Sequence, residues 1–431
     1  MKIFYLYQFC ILGGVTTQLA NRLKFLRDRC EVHFGFVGDY GGRVAFEGYD
    51  KVRILPTVEE IRAYIEAHDF DFLITIDTYE LYDALKSTNV SGTVIHEVHT
   101  TYEHALRQLA EAKDDLPFDY VLTPSAYMKE RLEEMGISGA IAVDNCLDMN
   151  LFRFDPAAGV PELAAPERGQ DASGRQREPG QGHGTDASDR DCEPRQGLGT
   201  DASGRERESR RLPDSGAPSG AGFGEPAAAG AARSGQDKIV LWVGKLDAHK
   251  NWTSFLEVAA RLNERRSDLK FWLVGGYTAP EEVKRLLREK TEQMGLANLA
   301  WIPKIDYDAM YRFYSAVSSG GGVYVSTSTN ESFGMTVLEA MACRCPAVVP
   351  RVGALPELLT GELAVSLYEL NDEEACADRI CALLDDGRLR SRLADEGERK
   401  ARKTYGIEAV GAQYLALLER LGSGGPSEVK D

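Results

Sequence analysis

Several features that mark protein classes are missing from this chain. Its eight cysteines form no CxxC pair of the kind that holds zinc. Cys10, Cys30, Cys146, Cys192, Cys376 and Cys381 are scattered, and Cys343 and Cys345 stand too close for an ordinary disulfide. This usage predicts reduced, mostly buried thiols in a cytoplasmic protein. No apolar run is long enough to span a membrane. The opening stretch MKIFYLYQFCILGG has some signal-sequence character, but Tyr5, Tyr7 and Gln8 interrupt it and no small-residue cleavage pattern follows. A first β-strand is expected there instead. Net positive charge is also lacking: 50 basic against 67 acidic residues give −17 at pH 7. That balance argues against a nucleic-acid-binding or anionic-membrane protein as a whole.

What is present is a chain of 431 residues with 43% hydrophobic content, enough for two ordinary domains plus extra material. In the first part, short apolar runs alternate with helical patterns. Strands are expected at 2–7 and 72–76 and near 31–37, 93–98 and 119–122. Helices are expected at 57–67 and 126–135, and Val15, Leu19, Leu23 and Leu26 share one helical face. A βα repeat of this kind predicts a parallel sheet covered by helices on both faces, over a domain at 1–159. Residues 160–236 differ: they are rich in Gly, Ala, Ser, Arg, Asp and Pro, and Asp-Ala-Ser recurs at 171, 186 and 201. A fifteen-residue period of this composition matches no solenoid and cannot bury enough apolar surface to offset ordering entropy. A disordered insertion is expected, either inert or a partner-binding arm. Order returns at Lys238 with strand-like runs at 239–243, 270–274, 300–302, 322–325 and 347–349. These predict a second doubly wound domain over 237–407. A helix at 408–421 is placed so that it can pack back across the junction.

Three loops follow strands and precede helices, where open α/β sheets bind ligands. The first holds Gly13 and Gly14, suited to a phosphate at a helix N-terminus or to a tight turn. The second, Gly244–Lys250, carries Lys245 and Lys250, which can close on a diphosphate as point charges, with Asn251 as N-cap. The third is Glu331-Ser332-Phe333-Gly334-Met335-Thr336-Val337-Leu338-Glu339. Two carboxylates flank one helix start there. The second lies among apolar residues, so burying it calls for partners; exposure on an ordinary capped helix is the alternative. Asp69-Phe-Asp71 has DxD form but precedes a strand, so it is read as solvated, and no metal is implied. The basic stretch Asn21–Arg29 could touch a membrane or simply face solvent.

The segments VGKLDAHKN, LVGG, STSTNESFGMTVLEAMACRCPAVVP and VGALPEL resemble the C-terminal half of family 4 glycosyltransferases of GT-B fold. The Gly-Gly loop, TVIHEVHTTYEH, DYVLTPSAYMKERLEEMGI and VDNCLDMNLF resemble the N-terminal half more loosely. The resemblance implies an α/β fold of two Rossmann-like domains in a GT-B arrangement. It implies a nucleotide-diphosphate sugar as co-substrate, with no resident cofactor or metal. It assigns the ribose hydroxyls to Glu339 and the transferred sugar to Glu331. Backbone N–H groups around Phe333, Gly334 and Met335 would approach sugar and phosphate, with Ser332 and Thr336 in the same donor loop. The diphosphate falls to Lys245 and Lys250. His99 would lie near the sugar; strand alternation puts His96 on another face. Transfer with retention of anomeric configuration is implied, to a saccharide, lipid-linked or other small-molecule acceptor contacted by loops such as 38–48 and 77–83. Alternatives are a phosphorylase or epimerase on the same fold and a non-catalytic sugar-nucleotide-binding protein. The chain departs from the family pattern at Lys245, where arginine is usual, and at Arg344 and Ala354, where glycine is common.

Overall fold

The structure is a computed structural model, and it describes residues 1–77, 85–86, 88, 90–115, 117–158 and 237–423. The expected insertion at 160–236 and most of the loop at 77–83 lie outside the described residues.

Seven strands build the first sheet: β1 (Lys2–Cys10), β2 (Glu31–Asp39), β3 (Val52–Ile54), β4 (Phe72–Ile76), β5 (Thr93–Glu97), β6 (Tyr120–Thr123) and β7 (Ile141–Ala142). Their order is β3-β2-β1-β4-β5-β6-β7, all parallel. Six more build the second: β8 (Lys238–Val243), β9 (Leu269–Val274), β10 (Leu299–Ile302), β11 (Val323–Val325), β12 (Ala347–Pro350) and β13 (Leu367–Tyr368). These run β10-β9-β8-β11-β12-β13, again parallel. The run Phe-Leu-Ile-Thr-Ile of β4 is buried at every position, as a strand covered on both faces must be. Three strands escaped the sequence reading: β3, β7 and β13 are edge or near-edge strands of two or three residues, too short to show a period.

In both sheets the strand order reverses beside the first strand, at β1/β4 and at β8/β11. Loops leaving the carboxyl ends at such a switch point splay apart and leave a crevice. Gly13 follows β1, Asp77 follows β4, the 244–250 loop follows β8 and Glu331 follows β11.

The last helix, Ile407–Ser423, leaves the second domain after Leu147 bridges to Gly406, and it buries Tyr414, Leu417, Leu418 and Leu421 in the core of the first. Gly411 makes this docking possible, because a Cβ there would stand 2.4 Å from the Phe25 ring. The helix Gly14–Leu26 is buried on more than the face expected from Val15, Leu19, Leu23 and Leu26. Asn21 donates to the Cys146 carbonyl at 3.0 Å, Arg22 pairs with Glu97 at 2.6 Å and Lys24 with Asp148 at 2.7 Å. Neither a membrane contact nor a solvated face accounts for these three residues of the Asn21–Arg29 stretch, whose polarity is spent on the protein's own groups. No helix among the described residues is long and apolar enough to cross a membrane. The seven described cysteines are free.

Candidate active site

The loop after β8 is shaped by Asp247. Its carboxylate receives the Lys250 N–H at 2.8 Å and its carbonyl receives the Asn251 N–H at 3.1 Å. Asn251 precedes the helix Trp252–Arg265 but does not cap it through its side chain. It sits in the left-handed region at φ 48, and its Oδ1 accepts from Thr253 at 3.1 Å. Asn251 is thus the N-cap position, as expected, without a capping hydrogen bond from its side chain. Thr327 ties this loop to the strand beside it, accepting from the Trp242 indole at 3.0 Å and donating to the Lys250 and Asn251 carbonyls.

These contacts bring Lys250 against the third loop. Its Nζ lies 2.5 Å from Glu331 Oε1, which also accepts from the Ser328 hydroxyl at 2.7 Å. Burial works against the Glu331 charge, but Lys250 outweighs it and holds the carboxyl below its ordinary range. Lys245 stands exposed on the same loop. The Glu331 backbone is fixed from behind: its carbonyl accepts from Ala354 at 2.9 Å, and a Cβ on Gly353 would approach that carbonyl to 2.3 Å. Ala354, where the family has glycine, has φ −80 and needs none.

Gly334, at φ 103, is the N-cap of the helix Met335–Ala342. No side chain caps this end and its first turn holds no acidic residue, so the N-terminal positive pole is not neutralised locally. Ser332 and Met335 are partly exposed, whereas Phe333 is buried against the edge of Tyr405; only its backbone can serve a ligand. Thr336 shares a 2.9 Å hydrogen bond with Tyr324. Glu339 is buried, as its apolar neighbours suggested, and its Oε2 accepts from Tyr314 at 3.0 Å. Burial dominates there and pushes its carboxyl up to about 8.

From the first domain, Gly13 and Gly14 open the helix Gly14–Leu26. A Cβ at either would meet nothing within 4 Å, and Gly13 is extended at φ −175. Neither is demanded by a tight turn, and no described residue crowds this helix end. His99 lies just past β5, with its Nε2 3.0 Å from Glu97. His96 is fully buried on Thr75 at 2.8 Å and stacked on Phe118, and burial drives its imidazole down to about 3. Asp71 of the DxD sequence accepts from the Lys2 N–H at the amino ends of the strands. No group of three or more acidic, histidine or cysteine side chains suited to a metal occurs among the described residues.

Sequence reasoning missed Ser328, Asp247, Asp77 and the Arg22–Glu97 pair. The first two lay within the quoted segments; the pair joins positions 75 apart and leaves no local signal.

Two facing, doubly wound α/β domains joined by a returning C-terminal helix define the class, a GT-B fold. HepE of Anabaena, solved in complex with UDP and glucose, shares it with a TM-score of 0.71 at 15% identity over 97% of this chain and all of that one. Sucrose-phosphate synthase of Thermosynechococcus elongatus gives 0.67 at 16% identity over 98% and 99%. Residues 227–400 match the family Glycosyl transferases group 1, a segment that covers less than half of the chain. The D-inositol 3-phosphate glycosyltransferase of Corynebacterium glutamicum is 30% identical over 187 residues, 42% of this chain and 43% of the relative. The alpha-D-kanosaminyltransferase of Streptomyces kanamyceticus is 28% identical over 43% and 46%. The chain thus matches less than half the length of these curated relatives.

Proposed function

We propose that the protein transfers a glycosyl unit from a nucleotide-diphosphate sugar to a saccharide, lipid-linked or other small-molecule acceptor, with retention of configuration as in family 4. The observation that carries this reading is the Lys250–Glu331 contact at the mouth of an uncapped helix, with the second carboxylate, Glu339, buried in that helix's second turn. Glu339 takes the ribose hydroxyls and Glu331 the sugar. Lys245 and Lys250 meet the diphosphate, whose charge grows as the glycosidic bond breaks. Fixed cations at that point stabilise the transition state more than the ground state. Retention follows from a front-face route in which Glu331 orients the donor and forms no covalent adduct. His99 approaches the sugar from the other domain. No resident cofactor or metal enters the scheme, and the free thiols fit a cytoplasmic setting.

Thermal-shift measurement across uridine, guanosine and adenosine diphosphate sugars tests the donor half, since a ligand bound only by the folded state raises its melting temperature. A rise with one nucleotide series, followed by transfer that alanine at Glu331 or Lys250 abolishes, is expected. Silence across the whole panel, or full transfer by both variants, would overturn the assignment.

A further inference from the structure

Three sets of contacts fix His99 beyond what a loop residue needs. Asp77 adopts φ 44, unusual outside glycine, and its Oδ1 receives the N–H groups of His99 at 2.8 Å and Thr100 at 3.1 Å. Strain of this kind persists where the surroundings over-determine it. Glu97 reaches the ring, with Oε2 3.0 Å from Nε2. Behind Glu97, Arg22 Nη1 donates to both carboxylate oxygens at 2.6 and 2.7 Å, and Tyr414 donates its hydroxyl to Oε1 at 2.9 Å. Tyr5 donates to Tyr414 in turn, and the Arg22 guanidinium lies 4.2 Å over the Tyr414 ring.

The Arg22 and Glu97 side chains are only 3% and 1% exposed. Apolar side chains join a helix to a sheet at lower desolvation cost than a buried ion pair, so anchoring alone does not explain this arrangement. Burial opposes the Glu97 charge, but Arg22 and His99 more than offset it and hold the carboxyl at about 2. An ionised carboxylate only accepts. A neutral His99 must therefore carry its proton on Nε2. Its Nδ1 is left as a lone pair with no hydrogen-bond partner among the described residues.

We propose that Glu97 is a positioning residue: its carboxylate, held in place by Arg22 and Tyr414, locks His99 in the Nε2–H tautomer, so that Nδ1 accepts a hydrogen bond from a sugar hydroxyl in the cleft. The hydroxyl rests on the glycosyl-transfer reading; the tautomer does not. Because Tyr414 belongs to the last helix, that helix is an inner support of the site as well as a clasp on the domain.

Nitrogen-15 histidine spectra at about pH 9, above the ordinary imidazole range, test this directly, with His99→Gln assigning the resonance. The wild type should show the Nε2–H form. In Glu97→Gln, Arg22 still needs an acceptor, so the amide oxygen turns to Arg22 and the NH2 faces His99. Nε2 must then accept, and the proton moves to Nδ1. Tyr414→Phe keeps the carboxylate and should keep the Nε2–H form. Should Glu97→Gln fail to fold, the other two spectra decide: Nε2–H in both supports the proposal. A wild-type Nδ1–H form, or an unchanged tautomer in a folded Glu97→Gln, overturns it. UDP titrated calorimetrically into wild type and Glu97→Gln should bind both within about twofold, because the donor half is untouched. Loss of UDP binding in Glu97→Gln alone would make the residue a structural support of the whole cleft and overturn the positioning role. No binding of UDP, GDP or ADP by the wild type would count against the donor reading, while the spectra would still decide the tautomer.

Discussion

Glu331 and Glu339 are the same side chain eight positions apart, and their surroundings drive them in opposite directions. Lys250 and Ser328 meet the first, so it stays ionised. The second has burial and one tyrosine, so it keeps its proton to about 8. An acid whose folded value lies above its unfolded one stabilises the fold fully below the unfolded value and loses that contribution as pH rises. For Glu339 the window runs from 4.5 to about 8, with a slope of at most about 1.4 kcal/mol per pH unit. Urea titrations across this range should show unfolding free energy falling with pH in the wild type and a shallower fall in Glu339→Gln. Glu97 acts in the opposite sense: its contribution is present above 4.5 and lost as pH falls towards about 2. On the proposed reading, in which Glu339 meets the ribose, the same proton bears on the donor. Ribose hydroxyls donate to a carboxylate and favour its charged form, so UDP binding at neutral pH should release a proton. Calorimetry in buffers of different ionisation enthalpy would measure it; equal apparent enthalpies would remove Glu339 from the ribose. Lys250→Ala should lower kcat/KM by about 100-fold or more, the scale of removing one preorganised group from a developing charge, with stability changed far less.

At the scale of elements, the loop that carries Glu331 depends on one glycine behind it. Gly353 is at φ 53, and an added Cβ would stand 2.3 Å from the Glu331 carbonyl and 2.6 Å from its nitrogen, both backbone atoms that cannot swing away. Gly353→Ala should therefore cost about 2 kcal/mol or more. It should also displace Glu331, so UDP binding falls with stability; unchanged urea midpoints and UDP affinity would show that the loop gives way. Arg344 illustrates the contrary case. It holds φ 59 just past the helix Met335–Ala342, where glycine costs nothing, yet it pairs with Glu398 at 3.3 Å and with Asp395 and lies over Phe154. The strain and the contacts oppose each other, which explains how the chain tolerates an arginine there. The long elements and the turn into the helix Met335–Ala342 were legible in the sequence because their signals are local: the continuous apolar run of β4, and two glutamates around one glycine. Strand β13 was not, since two residues carry no period. Nor was the support of His99, since Arg22, Glu97 and Tyr414 come from three distant segments and meet only when the last helix returns.

For the molecule as a whole, the two domains touch at the loop that carries Glu331. The helix Ala126–Glu134 begins with Ser125, whose hydroxyl accepts from Met128 in its own helix and donates to the Ser332 carbonyl at 2.7 Å. Its next two N–H groups, Ala126 and Tyr127, meet the Glu357 carboxylate of the other domain at 3.1 and 2.6 Å. Asn330 donates to the Tyr127 hydroxyl at 3.0 Å. Lys400 holds the Glu357 backbone from beneath, donating to its carbonyl at 2.7 Å. Residues 330 and 332 flank Glu331, and 357 lies in the turn that backs it. Anything that moves Glu331 therefore moves the contact between domains, and domain position bears on the donor loop in return. Reciprocity of this kind is a thermodynamic requirement once the two are linked. A carboxylate on a helix N-terminus contributes about 1–2 kcal/mol, which corresponds to roughly a five- to thirty-fold shift between docked and undocked domains. Glu357→Ala should thus increase the radius of gyration in solution scattering and weaken UDP binding, although Glu357 does not touch Glu331 or Lys250 through its side chain. Scattering that changes while UDP affinity holds would separate the two and show that the donor loop keeps its shape without the partner domain.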